Sequence, residues 1–154
     1  MYRITGCFNL MFVENLSLTC ALEECLAGYY GTFKKSGIEP DIQLPKKEVF
    51  RYLNPTALSR ILSNIVSNAA KYSDSDFSVR MDEYGTLRFI NHAPGLDEIQ
   101  VGHLFDRFYT VSSGSHSTGL GLSIAKTLTE EMHGHIDACC RDGCLIITLD
   151  FPPK

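Results

Sequence analysis

A chain of 154 residues, 44% hydrophobic and 21% charged, is long enough to bury one core and too short for two comfortable ones. Its formal net charge of −4 lacks the basic field on which nucleic-acid binding relies, so a phosphate-bearing ligand has to be caught by local chemistry. No apolar run reaches membrane-spanning length, and residues 1–15 (MYRITGCFNLMFVEN) lack the charged, apolar and small-residue regions of a secretory leader.

In chain order, residues 18–35 (LTCALEECLAGYYGTFKK) read as one helix, with Thr19 as N-cap, leucines at 22 and 26, and Gly37 just past a lysine-rich end. Short strands follow at 38–44 and 48–53, divided by Pro45-Lys46-Lys47. Asn54-Pro55 opens the most informative helix, since an N-cap asparagine before a proline at the first helical position is a strong start signal. Its apolar positions, Leu58, Ile61, Leu62, Ile65, Val66 and Ala69, recur at the spacing of a buried stripe. Phe77, Val79 and Met81 alternate, as do Leu87 and Phe89, with Asp82-Glu83-Tyr84-Gly85 between them, which predicts a hairpin. A short helix is expected over 97–104 and a longer one over 120–132, closed by Gly134. The serine-rich loop at 111–117 separates them. Strands at 136–140 and 145–151 end the chain, joined through Asp142-Gly143, a pair suited to a type I′ turn. The natural layer solution for this order is an α/β two-layer sandwich, a mixed sheet with helices on one face. The six cysteines form no CxxC and read as reduced structural thiols, while His133 and His135 near Cys139 and Cys140 read as local packing rather than a metal site.

The chemistry concentrates on the helix opened by Pro55. At 100° per residue Asn64, Asn68 and Lys71 fall within roughly 60° of arc beside its buried stripe. A carboxamide oxygen is a hard neutral ligand suited to Mg2+, and a lysine balances phosphate charge. Three stretches follow in order: NHAPG at 91–95, LFDRFYT at 104–110 and STGLGLSIAK at 117–126. Together with NIVSNAAKYS at 64–73 they resemble the N, G1, F and G2 boxes of the bacterial sensor histidine kinases. These belong to the ATPase superfamily that includes gyrase, the ninety-kilodalton heat-shock chaperones and MutL, and the resemblance runs from about Leu18 to the C-terminus.

That resemblance implies a Bergerat-type ATP-binding fold with ATP and Mg2+ as cofactors. It implies that Asn68 coordinates the metal with Asn64 supporting it one turn earlier, that Lys71 contacts phosphate, and that Tyr72 lies against adenine. Asn91, Pro94 and Gly95 would meet the base. Arg107 would belong to the lid over the phosphates, and Thr118, Gly119, Leu120 and Gly121 would approach the triphosphate at the start of the next helix. Asn64, Lys71 and Arg107 are the expected catalytic set. Two residues depart from the family pattern: Asn91 stands where an aspartate normally accepts from the adenine amino group, and Ala93 stands where glycine is usual. A neutral acceptor forgoes charge assistance, which predicts weaker binding and relaxed base discrimination.

The implied function is donation of the γ-phosphoryl group to a histidine on a separate dimerisation domain. A response regulator would be engaged by the full-length protein, with no nucleic acid and no membrane contact by this part. Serine kinases and hydrolases of the superfamily commonly carry glutamate as general base at the position of Asn64, so asparagine favours a histidine acceptor. None of the five histidines has the acidic follower of a phosphoacceptor on an upstream helix. The chain therefore reads as the cytoplasmic catalytic fragment of a membrane-anchored kinase, unable to autophosphorylate alone. Residues 1–17 read as the tail of an upstream helical hairpin or an N-terminal extension, and 18–154 as the ATP-binding domain. The apolar tract at 4–12 fits that hairpin or a terminal strand or cap. Two alternatives are an anti-sigma-type serine kinase and a degenerate interaction domain that no longer responds to nucleotide.

Overall fold

The computed structural model describes residues 12–73, 76–109 and 120–153. Strand β1 (Glu14–Ser17) leads into helix α1 (Leu18–Gly28), whose N-cap is Ser17: its hydroxyl accepts from the Cys20 amide. Thr19 is not the cap that the sequence suggested. It is buried within the first turn, where its hydroxyl accepts from the Val49 amide at 3.2 Å. The expected single helix breaks at Tyr29, and α2 (Tyr30–Lys35) follows. Glycines at 28 and 31 weaken helical propagation there, and the Tyr29 hydroxyl is held 2.7 Å from that of Ser63.

Strands β2 (Asp41–Gln43) and β3 (Phe50–Leu53) are shorter than the alternation predicted, because Pro40 and Pro45 flank the first and supply no backbone donor to a ladder. Helix α3 (Pro55–Tyr72) starts where expected: the Asn54 carboxamide oxygen accepts from the Ala57 amide at 2.9 Å, while its nitrogen donates to the Phe12 carbonyl. The expected tail over 4–12 otherwise lies outside the described residues. The hairpin β4 (Phe77–Met81) and β5 (Leu87–His92), the short helix α4 (Glu98–Gly102) with Asp97 in a capping box, helix α5 (Gly121–Glu131), and the hairpin β6 (His135–Arg141) and β7 (Cys144–Asp150) complete the order.

Five strands form one sheet in the order β2-β4-β5-β7-β6, with β2 parallel to β4 and the other pairs antiparallel; β1 and β3 form a separate antiparallel ribbon. Phe77, Val79, Leu87, Phe89, Ile147 and Leu149 bury one sheet face against α1, α3 and α5, whose inward residues Leu22, Ile61, Ile65 and Leu128 have essentially no exposed surface. This is the expected sandwich with helices on one face.

Helix α5 ends in a Schellman motif: the His133 amide donates to Glu130 and the Gly134 amide to Thr129. The left-handed residue is therefore His133 (φ 64°), not the glycine. Gly134 is needed for another reason, since a Cβ there would stand 2.6 Å from the Phe151 ring and 2.8 Å from the Asp150 carbonyl. Asp142 (φ 54°) and Gly143 (φ 76°) make the expected type I′ turn. The five cysteines among the described residues are unpaired, and no described helix is long and apolar enough to cross a membrane.

Candidate active site

Helix α3 carries the site because its buried stripe fixes its rotation. With Ile61, Ile65 and Ala69 turned into the core, Asn64 and Asn68 are left half-buried on its flank, Lys71 is exposed and Tyr72 half-buried. These four residues span about 12 Å along the axis at 1.5 Å per residue.

At the Asn64 end, α3 meets the start of α5. A Cβ built on Gly121 would lie 4.0 Å from Cβ and Cγ of Asn64. Leu120 is the N-cap of α5 and has no side chain able to accept, so among the described residues no side chain caps the first-turn amides. Beside them the Asn64 Nδ2 is buried and has no acceptor among the described residues. Uncapped amides at a helix start and an orphaned carboxamide N–H together favour a negatively charged oxygen, since each is a donor without an acceptor. Thr118 and Gly119, expected in the same turn, lie outside the described residues.

At the other end of α3 lies Asn91. Alternation along β5 points it, like Leu87 and Phe89, to the helix-covered face, and it is only 5% exposed. Its cross-strand partners are Phe77 and Leu145, and its Nδ2 makes a long 3.4 Å bond to the His92 carbonyl. Phe77 begins β4 just after α3, and Asp76 accepts from the His92 amide at 3.1 Å, so the C-terminus of α3 and Asn91 share one corner. Ser73, the C-cap of α3, stands in that corner with its Oγ buried and unpartnered among the described residues. No role for Ser73 followed from the sequence; its place as the first residue beyond the helix was the available signal. Pro94 and Gly95 form an exposed turn closed by the Leu96 amide on the Ala93 carbonyl.

Arg107 follows α4 on an exposed segment. Its guanidinium lies 5.5 Å from the centre of the Phe108 ring, and among the described residues no hydrogen bond ties it to α3. Phe108 has φ 67°, unusual for an aromatic residue. Around it His103 Nδ1 sits 2.7 Å from Asp106 Oδ2, and its ring lies tilted 5.5 Å from that of Tyr109. The Lys126 ammonium, 5.6 Å from the Phe105 ring, links this segment to α5.

Residues 53–154 match the family described as histidine kinase-, DNA gyrase B- and HSP90-like ATPases. The sensor histidine kinase YcbM of Bacillus subtilis (strain 168) is 32% identical over 117 residues, 70% of this chain and 38% of YcbM, so the chain spans about two fifths of that relative. The nucleotide-free catalytic domain of histidine kinase ThkA superposes with a TM-score of 0.79 at 22% identity, covering 93% of this chain and 97% of that one. ThkA in complex with the response regulator protein TrrA gives 0.77 at 20% identity, covering 92% of this chain and 42% of that one. With a family match spanning about two thirds of its length, on the helix and strands that build this site, the chain belongs to the histidine kinase-, DNA gyrase B- and HSP90-like ATPase family.

Proposed function

We propose that this chain is the ATP-binding catalytic part of a sensor histidine kinase, which holds Mg-ATP along α3 and presents its γ-phosphoryl group to a histidine on a separate domain of the same kinase. The observation that carries the reading is the pairing of the orphaned Asn64 Nδ2 with the uncapped start of α5. The donor set fits the ligand. Asn64 Nδ2 donates to a phosphate oxygen, the α5 amides donate to others, and Lys71 and Arg107 supply positive charge. Among the described residues no group of three or more His, Cys, Asp or Glu is placed to hold a metal. The carboxamide oxygen of Asn68 is the protein ligand proposed for Mg2+, which is satisfied by few protein oxygens when waters and phosphates complete its shell. Bound Mg2+ supplies neutralisation of phosphate charge. Tyr72, Asn91 and Gly95 meet the base at the opposite end.

Because Asn64 is neutral and cannot serve as a general base, the acceptor has to arrive with its own lone pair, as imidazole does. The chain's part is then positioning and charge stabilisation. A response regulator would act on the full-length protein, as suggested by the ThkA–TrrA complex, and the parent protein is read as membrane-anchored with this part in the cytoplasm. Thermal unfolding with and without millimolar Mg-ATP tests the reading, since a ligand selective for the folded state raises the midpoint. The expected shift shrinks when EDTA removes the metal. An unchanged midpoint would leave a nucleotide-insensitive domain.

A further inference from the structure

We propose that the base corner of this site accepts guanine as well as adenine nucleotides, and that Ser73 is a second base-contacting residue there; the inference rests on the nucleotide-binding reading above. Both side chains in the corner are chemically two-sided. A carboxamide offers an acceptor oxygen and a donor nitrogen, and a hydroxyl both donates and accepts. A carboxylate at position 91 would only accept. Adenine presents an amino donor beside a ring-nitrogen acceptor, and guanine presents an oxo acceptor beside a ring N–H donor. Asn91 meets the first edge with Oδ1 toward the amino group and the second after a half-turn of its amide.

The structure makes that half-turn cheap. Asn91 is 5% exposed, yet among the described residues its side chain makes one hydrogen bond, the 3.4 Å contact of Nδ2 with the His92 carbonyl. That bond is at the outer limit of useful geometry. Asp76 accepts from the His92 amide at 3.1 Å through Oδ1, on the exposed side of the corner. Ser73 Oγ is buried with no partner among the described residues, four residues before the start of the strand that pairs with Asn91. A buried hydroxyl with nothing to bond is costly in a protein that never fills the corner and useful in one whose ligand does.

The test is equilibrium binding of Mg-ATP and Mg-GTP to the full chain, to Asn91→Asp and to Ser73→Ala. For the unaltered chain the two dissociation constants are expected within about tenfold of each other. Asn91→Asp should tighten ATP by about 5- to 30-fold through charge assistance and weaken GTP, widening the ratio at least tenfold. Ser73→Ala should weaken both nucleotides by a similar factor, leave the ratio unchanged, and leave the nucleotide-free unfolding midpoint level or higher. A merely structural serine would lower that midpoint and leave both affinities alone. Should Asn91→Asp fail to fold, the unaltered chain and Ser73→Ala still decide. Strong ATP binding with more than about 100-fold rejection of GTP overturns this inference and leaves the nucleotide site standing; binding of neither nucleotide overturns both.

Discussion

Asn64→Leu separates a residue kept for the fold from one kept for a ligand. The Asn64 Nδ2 is buried and makes no hydrogen bond among the described residues, and an unsatisfied buried donor costs about 1–3 kcal/mol. The side chain is half-buried as a whole, so the lower end applies. Leucine has similar size, a higher helix propensity and no donor to satisfy, and Gly121 opposite leaves room for it. The variant should therefore be more stable without nucleotide by about 1 kcal/mol, a rise of roughly 2–4 °C for a chain of this length. With Mg-ATP at a hundred times its dissociation constant the unaltered chain gains about 2.7 kcal/mol, roughly 5–11 °C on the same scale. The variant, having lost a phosphate donor, should gain little. The order of stability thus inverts when nucleotide is added. Differential scanning fluorimetry on both proteins, each with and without Mg-ATP, reads all four midpoints. A variant less stable than its parent without nucleotide, or one with an undiminished Mg-ATP shift, would refute the reasoning.

Gly134→Ala should destabilise by about 1–3 kcal/mol, because the new Cβ meets both the buried Phe151 ring and a backbone carbonyl; urea unfolding measures it, and a neutral result would mean that β7 can shift away. His133→Gly should stabilise by up to about 1 kcal/mol in the same assay by relieving a left-handed histidine. Burial pushes the Cys25 thiol from 9.0 up to about 11. The fold favours the neutral thiol, so its contribution is full below pH 9 and is lost as pH rises through 11; the slope of stability over that window should be shallower in Cys25→Ala. Incubating the chain alone with γ-labelled ATP should leave no acid-labile label on it, since none of its histidines sits where a phosphoacceptor is expected; stable acid-labile label would show that an acceptor lies within these residues.

Most of the fold was legible because its signals are local. Asn54-Pro55 and the stripe from Leu58 to Ala69 fixed both the start and the rotation of α3, and rotation alone set Asn64, Asn68 and Lys71 on one flank. Alternation in 87–92 likewise turned Asn91 inward. What escaped depends on contacts distant in sequence. The break at Tyr29 needs Ser63, the burial of Thr19 needs Val49, and the exclusion of any side chain at 134 needs Phe151. Placing β2 parallel beside β4 is a tertiary choice with no marker in either strand. The same holds for the site. Spacing identified the residues of α3, but the apposition of Asn64 to Gly121 and the empty hydrogen-bonding capacity of Ser73 exist only once α5 and β4 have docked.

The central claim is that α3 and the start of α5 hold Mg-ATP, and calorimetric titration of the full chain with Mg-ATP tests it most directly. The account predicts saturable one-site binding that Asn68→Ala abolishes or weakens severely while the far-ultraviolet spectrum and unfolding midpoint of the nucleotide-free protein stay unchanged. No heat of binding up to millimolar nucleotide, or binding indifferent to Asn68, would contradict it.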